Sequence, residues 1–243
     1  MKKSETGDKW LIGIDEVGRG PLAGPVTVGV VAVKIDGGIA QTYKKLRKKL
    51  MEISGEVAGP QMVGRKVSPK KEYPIGVDSK KMKEKDRDFW YEVIKVYEKT
   101  EDSFYVSVQS KSATDIDQKG IAVCIADLVD LNIKKILKKI QKIEPYAEFQ
   151  NLHILLDGAL KTSLKVGNQK TIIKGDEKEL LISLASVYAK VTRDTYMKKI
   201  SKNPKYSQYG FEVHKGYGTL NHRRAIQRGG LSDEHRRSFC GRL

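Results

Sequence analysis

An α/β domain built on a mixed sheet is what this sequence predicts, on three observations. Short apolar, β-branched runs recur along the chain, and several end at an acidic residue. Longer segments carry apolar residues at helical spacing. The strand-like runs come first and then alternate with the helical ones, the order of a mixed sheet covered by helices. In chain order, Trp10–Ile14 reads as a buried strand ending at Asp15 and Glu16. Val26–Val33 reads as a second strand, and Ser103–Gln109 as a third, with Phe104, Val106 and Val108 alternating. His153–Leu156 is a fourth, ending at Asp157, and Thr171–Ile173 a fifth, leading into Gly175-Asp176. Helical spacing marks 82–98 through Phe89, Val93, Ile94 and Tyr97. It also marks Gly120–Ile143, where isoleucines and Leu137 face one way and lysines the other, and Glu179–Ser201. Loops and a short helix near Leu220–Gln227 are expected after Pro204. Residues 51–76, rich in Gly, Pro and Lys and weakly periodic, read as a mobile surface insertion.

The chain has 243 residues, 39% of them hydrophobic, enough for a sizeable core in one large domain or one domain with an appendage. No stretch approaches the ~20 apolar residues of a membrane span. The basic N-terminus has no apolar segment behind it, so a secretory signal is not expected. Cys124 and Cys240 are the only cysteines. They exclude a disulfide scaffold and a Cys-ligated zinc site, and they suit a reducing cytoplasm. Lys and Arg number 46 against 30 Asp and Glu, a net charge of +16. Half of that excess falls after Thr192, where 12 basic residues face 4 acids. Such a balance favours a polyanionic partner, with nucleic acid the expectation.

Against this basic background, Asp15, Glu16, Asp157 and Asp176 share a placement at or just after strand ends. Adjacent strand ends bring distant residues together. Four carboxylates so gathered stay ionised only with cations between them. An all-oxygen set suits Mg²⁺ or Mn²⁺ rather than zinc. Two such ions activate water and stabilise a leaving phosphodiester oxygen. Each acid taken alone also reads as a turn or helix-capping residue, Asp176 above all, since Gly175-Asp176-Glu177-Lys178 suits the start of the next helix. The turn after Asp15-Glu16 reads Gly18-Arg19-Gly20-Pro21-Leu22-Ala23-Gly24-Pro25. Its spacing, the internal proline and the two acids upstream argue against a dinucleotide-binding loop. Its glycines instead let backbone groups approach a sugar–phosphate.

Several segments together resemble ribonuclease HII. They are Gly13–Val26, Asp78-Ser79-Lys80-Lys81, Leu156-Asp157-Gly158, Lys174-Gly175-Asp176 and Ala185–Asp194. Tyr209-Gly210-Phe211, His214–Thr219 and His235–Phe239 follow in the same order. The resemblance spans Trp10 to Phe239, and Arg19 favours this family over ribonuclease HIII, whose turn typically carries Gly-Lys-Gly. It implies an RNase H-like five-stranded mixed sheet flanked by helices, spanning 10–200, with a C-terminal helical extension over 201–243. It also implies a metal-dependent endonuclease acting on RNA–DNA hybrids, with incision 5′ of single ribonucleotides in duplex DNA. The family's metal-binding carboxylates fall on Asp15, Glu16, Asp157 and Asp176, with Asp194 a competitor for the fourth place or a supporting acid. Its ribose-reading turn falls on Gly18, Arg19 and Gly20, and its junction-reading tyrosine on Tyr217. Lys80, Lys190 and Lys215 are candidate phosphate contacts or solvated lysines. His214 and His235 are proton shuttles or backbone-bonded loop histidines.

The chain departs from the pattern in the length of 51–76 and in Val17, where alanine is usual. A glutamine-plus-paired-aromatic clamp-binding motif is not evident near the C-terminus, and a monomer is expected. Two other readings remain, an HIII-like nuclease preferring longer hybrid tracts and a basic nucleic-acid-binding module without catalysis. The charge carries a prediction common to all three. Affinity for a nucleic-acid duplex, measured by fluorescence anisotropy, falls about a hundredfold between 50 and 200 mM salt, as four neutralised phosphates require.

Overall fold

The computed structural model describes residues 9–58 and 82–241. Five strands, β1 (Trp10–Val17), β2 (Val26–Lys34), β3 (Phe104–Lys111), β4 (Leu152–Asp157) and β5 (Asn168–Ile172), form one sheet in the order β3-β2-β1-β4-β5. The β1–β2 and β2–β3 pairs are antiparallel, while β4 runs parallel to both β1 and β5. Strand β1 continues three residues past the expected end, so Asp15 and Glu16 lie inside it, opposite Gly29 and Val28. Strand β5 is an edge whose Asn168, Gln169 and Lys170 face solvent, a composition that discourages pairing with another chain.

Eight helices flank the sheet among the described residues. They are α1 (Ile39–Ala58), α2 (Glu84–Thr100), α3 (Ala113–Lys119), α4 (Ile121–Ile140), α5 (Gly175–Lys178), α6 (Leu180–Ser201), α7 (Phe211–His214) and α8 (Leu220–Gly229). Helix α1 was not expected, and residues 51–58 belong to it rather than to a surface insertion. Leu46, Leu50 and Ile53 give it one buried face, and the many intervening lysines hide that spacing. The remainder of 51–76, like Asp78–Lys81 with Lys80, lies outside the described residues. The helix expected over Gly120–Ile143 is α4, and α3, which precedes it, was not expected. Ser112 caps α3 in a reciprocal box with Asp115, and Gly120 at φ 80° ends it before α4 begins.

One sheet face packs Ile12, Ile14, Val28, Val30 and Ile154 against α4 residues from Cys124 to Ile140. The other packs Leu11, Val31 and Val106 against α1, α2 and α6. A third cluster joins Leu22 and Ala23 to Met197, Tyr209, Phe211 and Ile226, so the segment after α6 closes over the turn between β1 and β2.

Helix α6 lies directly on the sheet because two strand residues have no side chain. A Cβ on Gly13 would stand 2.3 Å from the Leu181 carbonyl carbon, and one on Gly29 2.5 Å from the Ala185 carbonyl oxygen. Both obstacles are backbone, which cannot rotate aside. Gly13→Ala is therefore expected to cost about 3 kcal/mol, at the upper end of overpacking substitutions. Urea denaturation of wild type and variant measures it.

Candidate active site

The register that sets Ile14 beside Leu156 makes the next residues, Asp15 and Asp157, neighbours at the carboxyl ends of two parallel strands. Both face α6, since Leu11 and Leu155, an even number of residues earlier, pack on that side. Glu16 follows Asp15, and one carboxylate oxygen from each of Asp15, Glu16 and Asp157 lies within 4.8 Å of the others. The Asp15 Oδ1 accepts from the Glu16 amide at 2.8 Å, and Ser186 on α6 bonds the same carboxylate. The Asp157 Oδ1 accepts from the Gly175 amide at 2.6 Å, which fixes its orientation.

Burial pushes the Asp15 carboxyl well above the usual carboxylate range, and the charges of Glu16, Asp157 and Asp176 push it further, against the Ser186 bond. Burial also raises Glu16, opposed by Arg19, whose Nη1 sits 3.4 Å from Glu16 Oε1. An all-oxygen set in mutual repulsion is the donor chemistry a hard divalent cation fits.

Asp176 is buried at the start of α5 and acts on Asp15 by charge, but it is not one of the three acids that close to 4.8 Å. Asp194 is engaged elsewhere on α6. Its Oδ1 accepts from Lys190 Nζ at 2.7 Å, and its Oδ2 lies 3.9 Å from Arg87. Lys190 is thereby directed to Asp194. Lys215 is also turned inward, its ammonium donating to the Glu212 carbonyl.

The turn 18–25 is held from below by two fully buried arginines that sequence reading assigned no role. Arg193 donates to the carbonyls of Pro25 (2.8 Å), Lys215 (2.9 Å) and Ala23 (3.1 Å). Arg236 donates to those of Gly18 (2.7 Å), Gly24 (2.9 Å) and Arg19 (3.1 Å). Gly18, at φ 87°, leaves room that Arg193 fills, since a Cβ there would meet its Nε at 2.3 Å. Tyr217 is 42% exposed, and its ring lies over the Arg193 guanidinium at 5.9 Å. Arg19 and Gly20 are exposed at the surface of the turn.

The family of ribonuclease HII matches residues 54–242 of this chain. A ribonuclease HII of Fusobacterium nucleatum is 34% identical over 236 residues, 97% of this chain and 87% of that protein. The chain belongs to the ribonuclease HII family. Its activity is that of ribonuclease HII, an endonuclease acting on RNA–DNA hybrids. Among solved structures, the ribonuclease HII of Archaeoglobus fulgidus, determined as a PCNA:RNase HII complex, shares the fold. Its TM-score is 0.55 at 20% identity, over 93% of each chain. Bst-RNase HIII, determined in complex with Mn²⁺, superposes with a TM-score of 0.56 at 16% identity, over 97% of this chain and 68% of that one.

Within this ribonuclease HII fold, His214, His222 and His235 are committed to structure. The His235 Nδ1 accepts from the Ser232 amide at 2.9 Å, so its Nε2–H points to His222 Nε2 at 3.1 Å. The His222 Nδ1 then donates to the Tyr217 carbonyl at 2.9 Å. Burial pushes both down to about 4, so both are neutral at pH 7. His214 bonds the Tyr209 carbonyl at 2.7 Å, the backbone-bonded alternative. His222, Ser186, Arg193 and Arg236 were missed because each acts through a contact with a distant segment. The only sequence signal was that all but His222 lie within segments resembling the family's motifs.

The acid cluster carries a stability prediction. A carboxyl raised in the folded state is protonated more readily there than in the unfolded chain. Its contribution therefore turns unfavourable as pH rises above the unfolded value. Asp15→Asn keeps the acceptor and removes the charge. Without metal at pH 7.5 it is expected to melt about 2–4 °C higher than wild type, the shift of about 1 kcal/mol at this size. Mn²⁺ is expected to raise the wild-type melting temperature and to leave the variant unmoved in a parallel thermal melt.

Proposed function

We propose that this ribonuclease HII incises duplex DNA on the 5′ side of a ribonucleotide, a single embedded one included, as well as cutting longer hybrid tracts. Asp15, Glu16 and Asp157 hold Mg²⁺ or Mn²⁺ in this reading, and Asp176 is the fourth carboxylate. The observation that carries it is the convergence of three acids within 4.8 Å in a chain of charge +16. Bound divalent cations supply an activated water and charge neutralisation at the scissile phosphate. The remaining roles belong to the chain. Asp15, oriented by the Glu16 amide and Ser186, and Asp157, oriented by the Gly175 amide, present fixed oxygens. Water attacks phosphorus, the P–O3′ bond breaks, and 3′-hydroxyl and 5′-phosphate ends result.

Only the 2′-hydroxyl distinguishes a lone ribonucleotide from its neighbours. The exposed backbone of Arg19 and Gly20, set by the buried Gly18 before them, suits its recognition, and the half-exposed ring of Tyr217 suits packing on the next sugar, where a 2′-hydroxyl is absent. Lys80 and the exposed face of the C-terminal segment carry phosphate contacts. Lys190 and Lys215 serve the site through Asp194 and the Glu212 carbonyl unless substrate draws them outward. Both cysteines are free and buried, the state that a reducing cytoplasm maintains, and this reading places the activity there; among the described residues no helix is long and apolar enough to cross a membrane.

A labelled DNA duplex with one internal ribonucleotide tests the proposal. One cut 5′ of that ribonucleotide is expected with Mg²⁺ or Mn²⁺, none with EDTA, and at least about a thousandfold less with Asp15→Asn, the scale of a lost principal electrostatic contact. The variant is expected to bind the duplex as wild type does. Cutting of longer hybrids alone would favour the HIII-like preference.

A further inference from the structure

Six backbone carbonyls converge on two buried guanidiniums beneath the turn 18–25. Neither Arg193 nor Arg236 has a carboxylate partner among the described residues. A buried, unpaired charge is a costly way to fill space, and apolar side chains of similar volume do so more cheaply. What a guanidinium alone offers is a planar fan of donors that several carbonyls accept at once.

The peptide unit is planar and trans, so a carbonyl and the following amide point in opposite directions. Arg236 draws the carbonyls of Gly18 and Arg19 inward. The amides of Arg19 and Gly20 are thereby turned outward, and neither has a protein acceptor among the described residues. A Cβ on Gly20 would meet no protein atom within 4 Å, so the space beside it is open to a ligand. Arg193 links this turn to the 215–217 segment, holding Ala23, Pro25 and Lys215 by their carbonyls and lying under the Tyr217 ring. The Leu22 and Ala23 amides, both donating to the Gly216 carbonyl, complete the link.

We propose that Arg236 and Arg193 are positioning residues for ribonucleotide recognition. Arg236 aims the Arg19 and Gly20 amides at the 2′-hydroxyl, and Arg193 sets the distance from them to the Tyr217 ring. The proposal rests on the reading that this turn and Tyr217 meet the ribonucleotide junction. Neither arginine touches substrate.

Arg236→Lys keeps the charge and loses the fan. A lone ribonucleotide offers a single register, whereas a continuous hybrid offers a 2′-hydroxyl in every one. Cleavage of the single-ribonucleotide duplex is expected to fall at least about tenfold more in kcat/KM than cleavage of a long hybrid, within what small misplacements cost. Mn²⁺ binding measured by calorimetry is expected to match wild type. Hydrogen exchange at Leu22, Ala23 and Gly24 is expected to quicken, because their bonds to Gly216 and Glu234 depend on the shape of the turn. Equal losses on both substrates, or unchanged exchange, would overturn the proposal, since the guanidinium would then merely fill the interior. Should Arg236→Lys fail to fold, Arg193→Lys carries the same substrate contrast, with Arg236 left in place. If wild type makes no cut at a lone ribonucleotide, the underlying reading fails, and the exchange measurement still reports on the turn separately.

Discussion

Three carboxylates within 4.8 Å of one another at the end of one sheet repel, and the protein is arranged to withstand that repulsion. Asp15 bears the largest share. It is buried, it adjoins Glu16 in sequence and Asp157 across the parallel pair, and Asp176 acts on it from α5. Amides from Glu16 and Gly175 and the Ser186 side chain fix the oxygens without neutralising them. Stability is given up locally to keep an anionic site ready, a usual feature of functional sites.

Helix α6 transmits this arrangement to the rest of the molecule. Gly13 and Gly29 let it touch the sheet, which brings Ser186 to Asp15. Two turns further on, Arg193 grips the turn after β1, and Asp194 gathers Lys190 and Arg87. One turn beyond, Met197 joins the cluster that holds the C-terminal segment over the turn. The anionic centre and the turn 18–25 are therefore spaced by a single rigid element, 1.5 Å per residue.

Strands β1 to β4 were legible because their β-branched runs carry the core, with acids at the ends of β1 and β4; β5 starts three residues before the expected Thr171, because its Asn168, Gln169 and Lys170 face solvent and form no apolar run. Asp15, Glu16 and Asp157 were legible because a strand end is the one place where residues 142 apart in the chain meet with little help from loops. Helix α1 was not, since Leu46, Leu50 and Ile53 are separated by lysines that dilute the periodic signal. Helix α3 was not legible either, because its seven residues are too few to show a helical period. Arg193 and Arg236 were read as part of motifs but not as buried donors, because arginine is seldom fully buried and nothing local marks the six carbonyls that hold them. The His235–His222–Tyr217 chain of bonds escaped for the same reason, its members meeting only when α8 folds back on the loop before it.

Manganese anomalous scattering from crystals grown with Mn²⁺ tests this account most directly. The central claim is that the repulsion among Asp15, Glu16 and Asp157 is relieved by a divalent cation. The account predicts anomalous density in contact with all three carboxylates and none at Asp194, which Lys190 already holds. Density at Asp194 with none at the three acids would contradict it.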